Sequence, residues 1–121
     1  MNKSFIFLFL TIVLSGCGKK DYPVEPNQIP AGTVGKLYNQ KIDVSGGVVI
    51  PYTVQITTDF KEDMGVVVKP INQDVSDAYN HLVIYGVPKY SGDFKIKISG
   101  GIYGSGDGKF TKEYTYKVNS K

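Results

Sequence analysis

Arginine is missing from this chain of 121 residues; all 14 basic residues are lysines. Proteins that read nucleic acid rely on the guanidinium fork for guanine and phosphate, so this absence argues against a nucleic-acid partner. Cysteine and histidine occur once each. That excludes an intrachain disulfide, and it leaves no material for a cysteine-rich zinc site or a conventional Cys–His nucleophile pair. Long apolar runs are scarce as well. The run Phe5–Leu14 has ten residues with Thr11 as its one polar member, half of the roughly 20 needed to cross a bilayer as a helix. What remains is globular in composition: 41% hydrophobic, 21% charged, 14 Gly, 6 Pro and a formal net charge of +3. It is too apolar and too aromatic for a disordered tail, and its length suits one domain.

The N-terminus reads as an address. Lys3 is the only charge before Lys19. A short basic start, a short apolar run and then small residues is the layout of a secretory signal. The residues that close it, Leu14-Ser15-Gly16-Cys17, resemble the lipobox of bacterial lipoproteins. The resemblance implies cleavage between Gly16 and Cys17, a diacylglyceryl group on the Cys17 thiol, and acylation of the new amino group. Cys17 is then an attachment point and not a redox or metal group. Two or more acyl chains, at about 0.8 kcal/mol per buried CH₂, give stable anchoring. Gly18 stands where an Asp favours retention in the inner membrane of a two-membrane host. The expected location is therefore the outer membrane, lipid-anchored on its periplasmic face.

Three parts are expected: a signal at 1–16, a lipidated tether at 17–30 and one domain at 31–121. Pro23, Pro26 and Pro30 mark the tether as extended, at about 3.1 Å per residue. Lys19 and Lys20 lie beside the lipid, within reach of anionic head groups. Beyond it the chain alternates in short runs. Strands are expected at Tyr38–Val44, Pro51–Thr57, Val66–Val68, His81–Tyr85, Asp93–Ile98 and Phe110–Val118, with a seventh near Val34. In the clearest, Phe94, Ile96 and Ile98 face in while Lys95 and Lys97 face water. Several short alternating strands with Gly-rich turns predict an all-β antiparallel sandwich of about seven strands. Two echoing segments, Ser45-Gly46-Gly47 and Ser99-Gly100-Gly101, both read as chain reversals, where glycine adopts positive φ without steric cost.

A series of motifs in this order carries a second resemblance: Gly32-Thr33-Val34-Gly35-Lys36-Leu37-Tyr38, Ser45-Gly46-Gly47, Pro51-Tyr52-Thr53-Val54, Ile84-Tyr85-Gly86-Val87-Pro88 and Ser91-Gly92-Asp93-Phe94-Lys95-Ile96. It resembles the Ig-like (cadherin-like) modules of bacterial surface proteins over about residues 29 to 119. Two positions depart from the pattern. Val54 stands in place of the strand tryptophan, and Asp59–Gly65 replaces the usual L-P-x-G-L turn. The resemblance implies an Ig-like sandwich and a binding or structural role at the cell surface.

Little here is suited to catalysis. His81 opens a strand and is expected at its edge or surface. Asp59, Glu62 and Asp63 fall in one loop, and Asp74 and Asp77 in another. They read as solvated turn formers, and their spacing matches no EF-hand. Gly104–Lys109 imitates a phosphate loop and fails: Phe110 follows the lysine where Ser or Thr is required, and Tyr103 occupies the first glycine position. The motif also needs a following helix, whereas a strand is expected there. No catalytic residue, metal or cofactor is expected. Tyr38, Tyr52, Tyr114 and Tyr116 are expected in the core or at its rim, and Tyr90 and Tyr103 in turns. The loop Gly100–Lys109 holds five glycines and is expected to contribute little to folding. Ile102 and Tyr103 within it are the candidate contacts for an envelope protein or polysaccharide. The expected role is a non-enzymatic binding or structural module. The alternative is a small periplasmic inhibitor, or an exclusion factor that blocks an incoming enzyme, phage or plasmid component.

Overall fold

A computed structural model describes residues 22–121; the expected signal, the expected lipobox Leu14-Ser15-Gly16-Cys17 and the start of the expected tether lie outside them. Among the described residues there are eight strands: β1 Val24–Glu25, β2 Gly32–Thr33, β3 Tyr38–Val44, β4 Gln55–Thr58, β5 Val66–Pro70, β6 His81–Gly86, β7 Gly92–Gly101 and β8 Lys109–Asn119. They form two four-stranded sheets, ordered β1-β3-β6-β5 and β2-β8-β7-β4. This is the ABED-on-CFG arrangement of an immunoglobulin-like sandwich, with β2 added beside β8. The β2–β8 pair is parallel, a departure from the antiparallel pattern. The chain crosses from one sheet to the other without reversing, so it meets β8 running the same way.

Alternation sets the core. In β7, Phe94, Ile96 and Ile98 are buried while Lys95 and Lys97 are exposed, in the expected register. Across the ladder, Phe94 pairs with Tyr116 and Ile96 with Tyr114, and both tyrosines are buried. Ile42 and Val44 of β3 and Leu82 and Ile84 of β6 supply the facing layer. Full burial of such side chains is worth about 1.5–3 kcal/mol each. The Tyr38 and Tyr116 rings lie 4.6 Å apart, and Phe60 packs edge-on against Phe94 at 5.7 Å. Burial pushes the Tyr114 and Tyr116 phenols up to about 12, because the charged form is desolvated there.

Four expectations change. First, part of the segment expected as tether belongs to the sandwich, with β1 at Val24–Glu25. Val24 pairs with Val44 in the first sheet. The Tyr38 hydroxyl donates to the Pro30 carbonyl and the Tyr114 hydroxyl to the Pro26 carbonyl, both at 2.6 Å. Extended proline-bearing chain leaves its carbonyls unpaired, and phenols in the core need acceptors, so the two satisfy each other.

Second, Pro51–Thr53 is a short 3-10 turn and not the start of a strand. Proline fixes φ and suits the first position of such a turn. Tyr52 is thereby turned out and is 85% exposed, although Val54 and Ile56 still pack on the core.

Third, Ser45-Gly46-Gly47 is a turn, with Gly46 at φ 95°, but Ser99-Gly100-Gly101 is strand, paired with Thr111, Phe110 and Lys109. Fourth, the Gly-rich loop is shorter than expected and folds against the body of the domain, as the next section describes.

Candidate functional site

Three connections gather at one end of the sandwich: residues 45–54, 71–80 and 102–108. They are fastened by side chains. Asn80, buried at the end of a second 3-10 turn Ala78–Asn80, donates its Nδ2 to the carbonyls of Val44 at 2.9 Å and Gly47 at 2.8 Å. Its Oδ1 accepts from the Val49 N–H at 3.0 Å. Val49, placed in this way, forms a β-bridge with Ile102. Thr53 Oγ1 donates to the Ile50 carbonyl at 2.7 Å and accepts from the Gly101 N–H at 2.8 Å. The Ser105 hydroxyl sits 2.7 Å from the Ile102 carbonyl and 3.2 Å from that of Gly108.

This arrangement separates the two candidate contacts. Ile102 is only 3% exposed and belongs to the core, so it is corrected from a partner contact to a packing residue. The physical reason is the bridge to Val49, which turns the side chain inward over Gly47. A Cβ on Gly47 would come within 2.5 Å of Ile102 Cγ2. Tyr103, held by its N–H to the Val48 carbonyl at 2.9 Å, stays 55% exposed beside Val48 at 43%. The first described residue, Tyr22, packs at the same end. A Cβ on Gly47 would lie 3.7 Å from its ring, and one on Gly108 2.8 Å from its hydroxyl.

The outer face of the second sheet carries a trough of about 710 Å³. Its floor is the small-residue end of β7, Ser99 to Gly101, and its walls are Gln55 and Thr57 of β4 and Lys109 and Thr111 of β8. The register makes rows of these side chains, since Ser99 lies between Gln55 and Thr111, and Lys97 between Thr57 and Glu113. Asp107 closes one end. The lining mixes hydroxyl, amide, ammonium and carboxylate groups with the apolar surface of Ile50, Ile102 and the glycines, a set that can both hydrogen-bond and pack against a chain laid across the strands. Strand alternation signalled Gln55, Thr57 and Lys97 as outward-facing, whereas Ser99 and Lys109 were expected in a turn and a loop; only the pairing of β4 with β7 places Gln55 beside Ser99 and Thr57 beside Lys97.

His81 is half exposed, as expected of a strand-edge residue. Its Nδ1 lies 2.9 Å from Asp43 Oδ1 and its Nε2 3.2 Å from Asp77 Oδ2. The hydrogen bond to Asp43, above all, raises its pKa from the ordinary histidine value. With both ring nitrogens on carboxylates, it clips segment 71–80 to β3 and is not aimed at a nucleophile. The acidic loops are used locally. Asp59 accepts from the Lys95 N–H at 2.7 Å, and Asp63 accepts from the Tyr90 hydroxyl at 2.8 Å. Among the described residues, no three His, Cys, Asp or Glu side chains come together to hold a metal ion.

No protein-family model matches the chain, and no curated protein matches it.

Proposed function

We propose that this protein is a lipid-anchored lipoprotein of the bacterial outer membrane. Its Ig-like sandwich binds an envelope polysaccharide without catalysis. The observation that carries the binding reading is the trough across β4, β7 and β8. Gln55, Thr57, Ser99 and Thr111 present amide and hydroxyl groups, and Lys97 and Lys109 present cations, along one open trough that also exposes apolar surface from Ile50 and Ile102. Sugar hydroxyls and acidic substituents are met by such groups. The anchor reading rests on the sequence: Leu14-Ser15-Gly16-Cys17 follows a ten-residue apolar run, and two or more acyl chains hold a protein stably on a bilayer.

Each part has its own test. Cys17→Ser should leave the precursor uncut at Gly16 and without lipid, read by mass spectrometry. A processed, detergent-partitioning product from this variant would overturn the anchor. For the trough, the lipidated protein should co-sediment with purified peptidoglycan sacculi or be retained on immobilised lipopolysaccharide. Ser99→Trp, which fills the floor, should abolish that retention with an unchanged melting temperature. Retention by neither material, or retention unaffected by Ser99→Trp, would overturn the reading.

A further inference from the structure

We infer that the end of the sandwich bearing Val48, Tyr52 and Tyr103 is a membrane-contacting tip. It lies on the same lipid surface that holds the anchor. The inference rests on the reading of Cys17 as the lipidated residue, and goes beyond it by fixing which part of the domain meets the lipid.

The first argument is reach. Tyr22 is packed at this end, against Gly47 and Gly108. Between Cys17 and Tyr22 the sequence has only Gly18, Lys19, Lys20 and Asp21. Five residue steps span at most about 18 Å when fully extended. The domain therefore cannot stand far off the bilayer, and the end that faces it is the one where Tyr22 sits. A tether of 14 residues, as the sequence alone suggested, would have left the orientation open. The docking of Pro26 and Pro30 against Tyr114 and Tyr38 removes that freedom.

The second argument is what that end displays. Tyr52 is 85% exposed, Tyr103 55% and Val48 43%. All three lie on connections fixed to the core, Val48 through the bond from Tyr103 and the Tyr52 turn through Thr53 and Gly101. These are rigid platforms, so little ordering is required on contact. Tyrosine suits the headgroup level of a bilayer, with an apolar ring and a hydroxyl that stays wet. Among the described residues this end carries Asp74, Asp77 and Asp107 against Lys109, a set that does not attract anionic lipid. Contact is therefore through the rings and should depend little on salt or on anionic lipid. The opposite end carries Asp59, Glu62 and Asp63 among Lys36, Lys61 and Lys89, with Leu37 and Val87 exposed, and the short reach from Cys17 to Tyr22 turns it away from the membrane.

The chain has no tryptophan, so one introduced residue reports alone. Full-length Tyr103→Trp, Tyr52→Trp and Leu37→Trp proteins are produced with their anchors, and lipid on the cysteine is verified by mass. Each is reconstituted into phosphatidylcholine vesicles with and without brominated acyl chains. Tyr103→Trp and Tyr52→Trp should lose emission to the bromines several-fold more than Leu37→Trp, with a blue-shifted spectrum at low and high salt alike. Equal quenching at both ends in lipidated protein overturns the tip while leaving the anchor intact. Stronger quenching at residue 37 also overturns it. A chain that carries no lipid overturns the anchor and the tip with it. Tyr52→Trp decides the matter if Tyr103→Trp does not fold.

Discussion

The two ends of the sandwich are closed by different means. At the end that holds Tyr22, long connections are fastened by polar side chains: Asn80, Thr53 and Ser105 reach backbone groups that glycine-rich turns leave unpaired. At the opposite end the tightest contacts are backbone on backbone, beside the side-chain bonds of Asp59 and Asp63. The Gly35 N–H donates to the Pro88 carbonyl at 3.0 Å and the Lys89 N–H to the Met64 carbonyl at 2.9 Å. Gly86 has φ 140°, and a Cβ there would overlap the carbonyl of Gly65. A side-chain clasp leaves the loop surface free to carry exposed groups such as Tyr103. A backbone clasp leaves no room for substitution and supports the aromatic cluster of Tyr38, Phe60, Phe94 and Tyr116 beneath it.

The sharpest way to break this contrast is Gly86→Ala. It forces both a strained φ and a backbone overlap, and should cost about 4 kcal/mol in urea unfolding. A loss below about 1 kcal/mol would mean that the opposite end yields as easily as the other.

Next in size is a pair of neighbours at the Tyr22 end. Ile102→Ala should lose about 3 kcal/mol, since it empties a core position, whereas Tyr103→Ala should stay within about 0.5 kcal/mol. Equal losses in thermal melts would contradict the division of this loop into a buried and a displayed residue.

The smallest effect concerns His81. Its folded pKa is raised, so the protonated ring contributes stability that is fully present below the unfolded value of about 6.5 and is lost as pH rises through the folded value. The pair is exposed, so the contribution should be below about 1 kcal/mol. Because His81 is the only histidine, its ring proton signal can be followed by NMR without assignment. The midpoint should lie above 6.5 and fall in Asp43→Asn. An unchanged midpoint in that variant would remove the clip between β3 and segment 71–80.

How much of this was legible follows from what each residue depends on. The alternation of Phe94, Ile96 and Ile98, and of Tyr114, Tyr116 and Val118, was readable because a strand's faces are set by its own period of two. Pro51 misled, since the same alternation runs through Tyr52, Val54 and Ile56, yet the proline turn removes Tyr52 from the face. Gln55, Thr57 and Lys97 were visible as outward-facing strand positions, but Ser99 was read as a turn and Lys109 as loop, and none was visible as a neighbour of the others, because register between β4 and β7 is a non-local pairing.

The sequence by itself determined the sandwich class and the strand faces, because periodicity and turn chemistry are local. Only the tertiary structure decided that Val24–Glu25 and the Pro26 and Pro30 carbonyls join the sandwich, that one Ser-Gly-Gly is a turn and the other a strand, and that Ile102 is core while Tyr103 is surface. Each of these turns on a partner distant in the chain: Pro26 and Pro30 on Tyr114 and Tyr38, Ser99 to Gly101 on β8, and Ile102 on Val49, which Asn80 holds in place. Identical tripeptides differ in conformation because backbone hydrogen bonds must be satisfied by whatever strand lies alongside, and local sequence does not specify that neighbour.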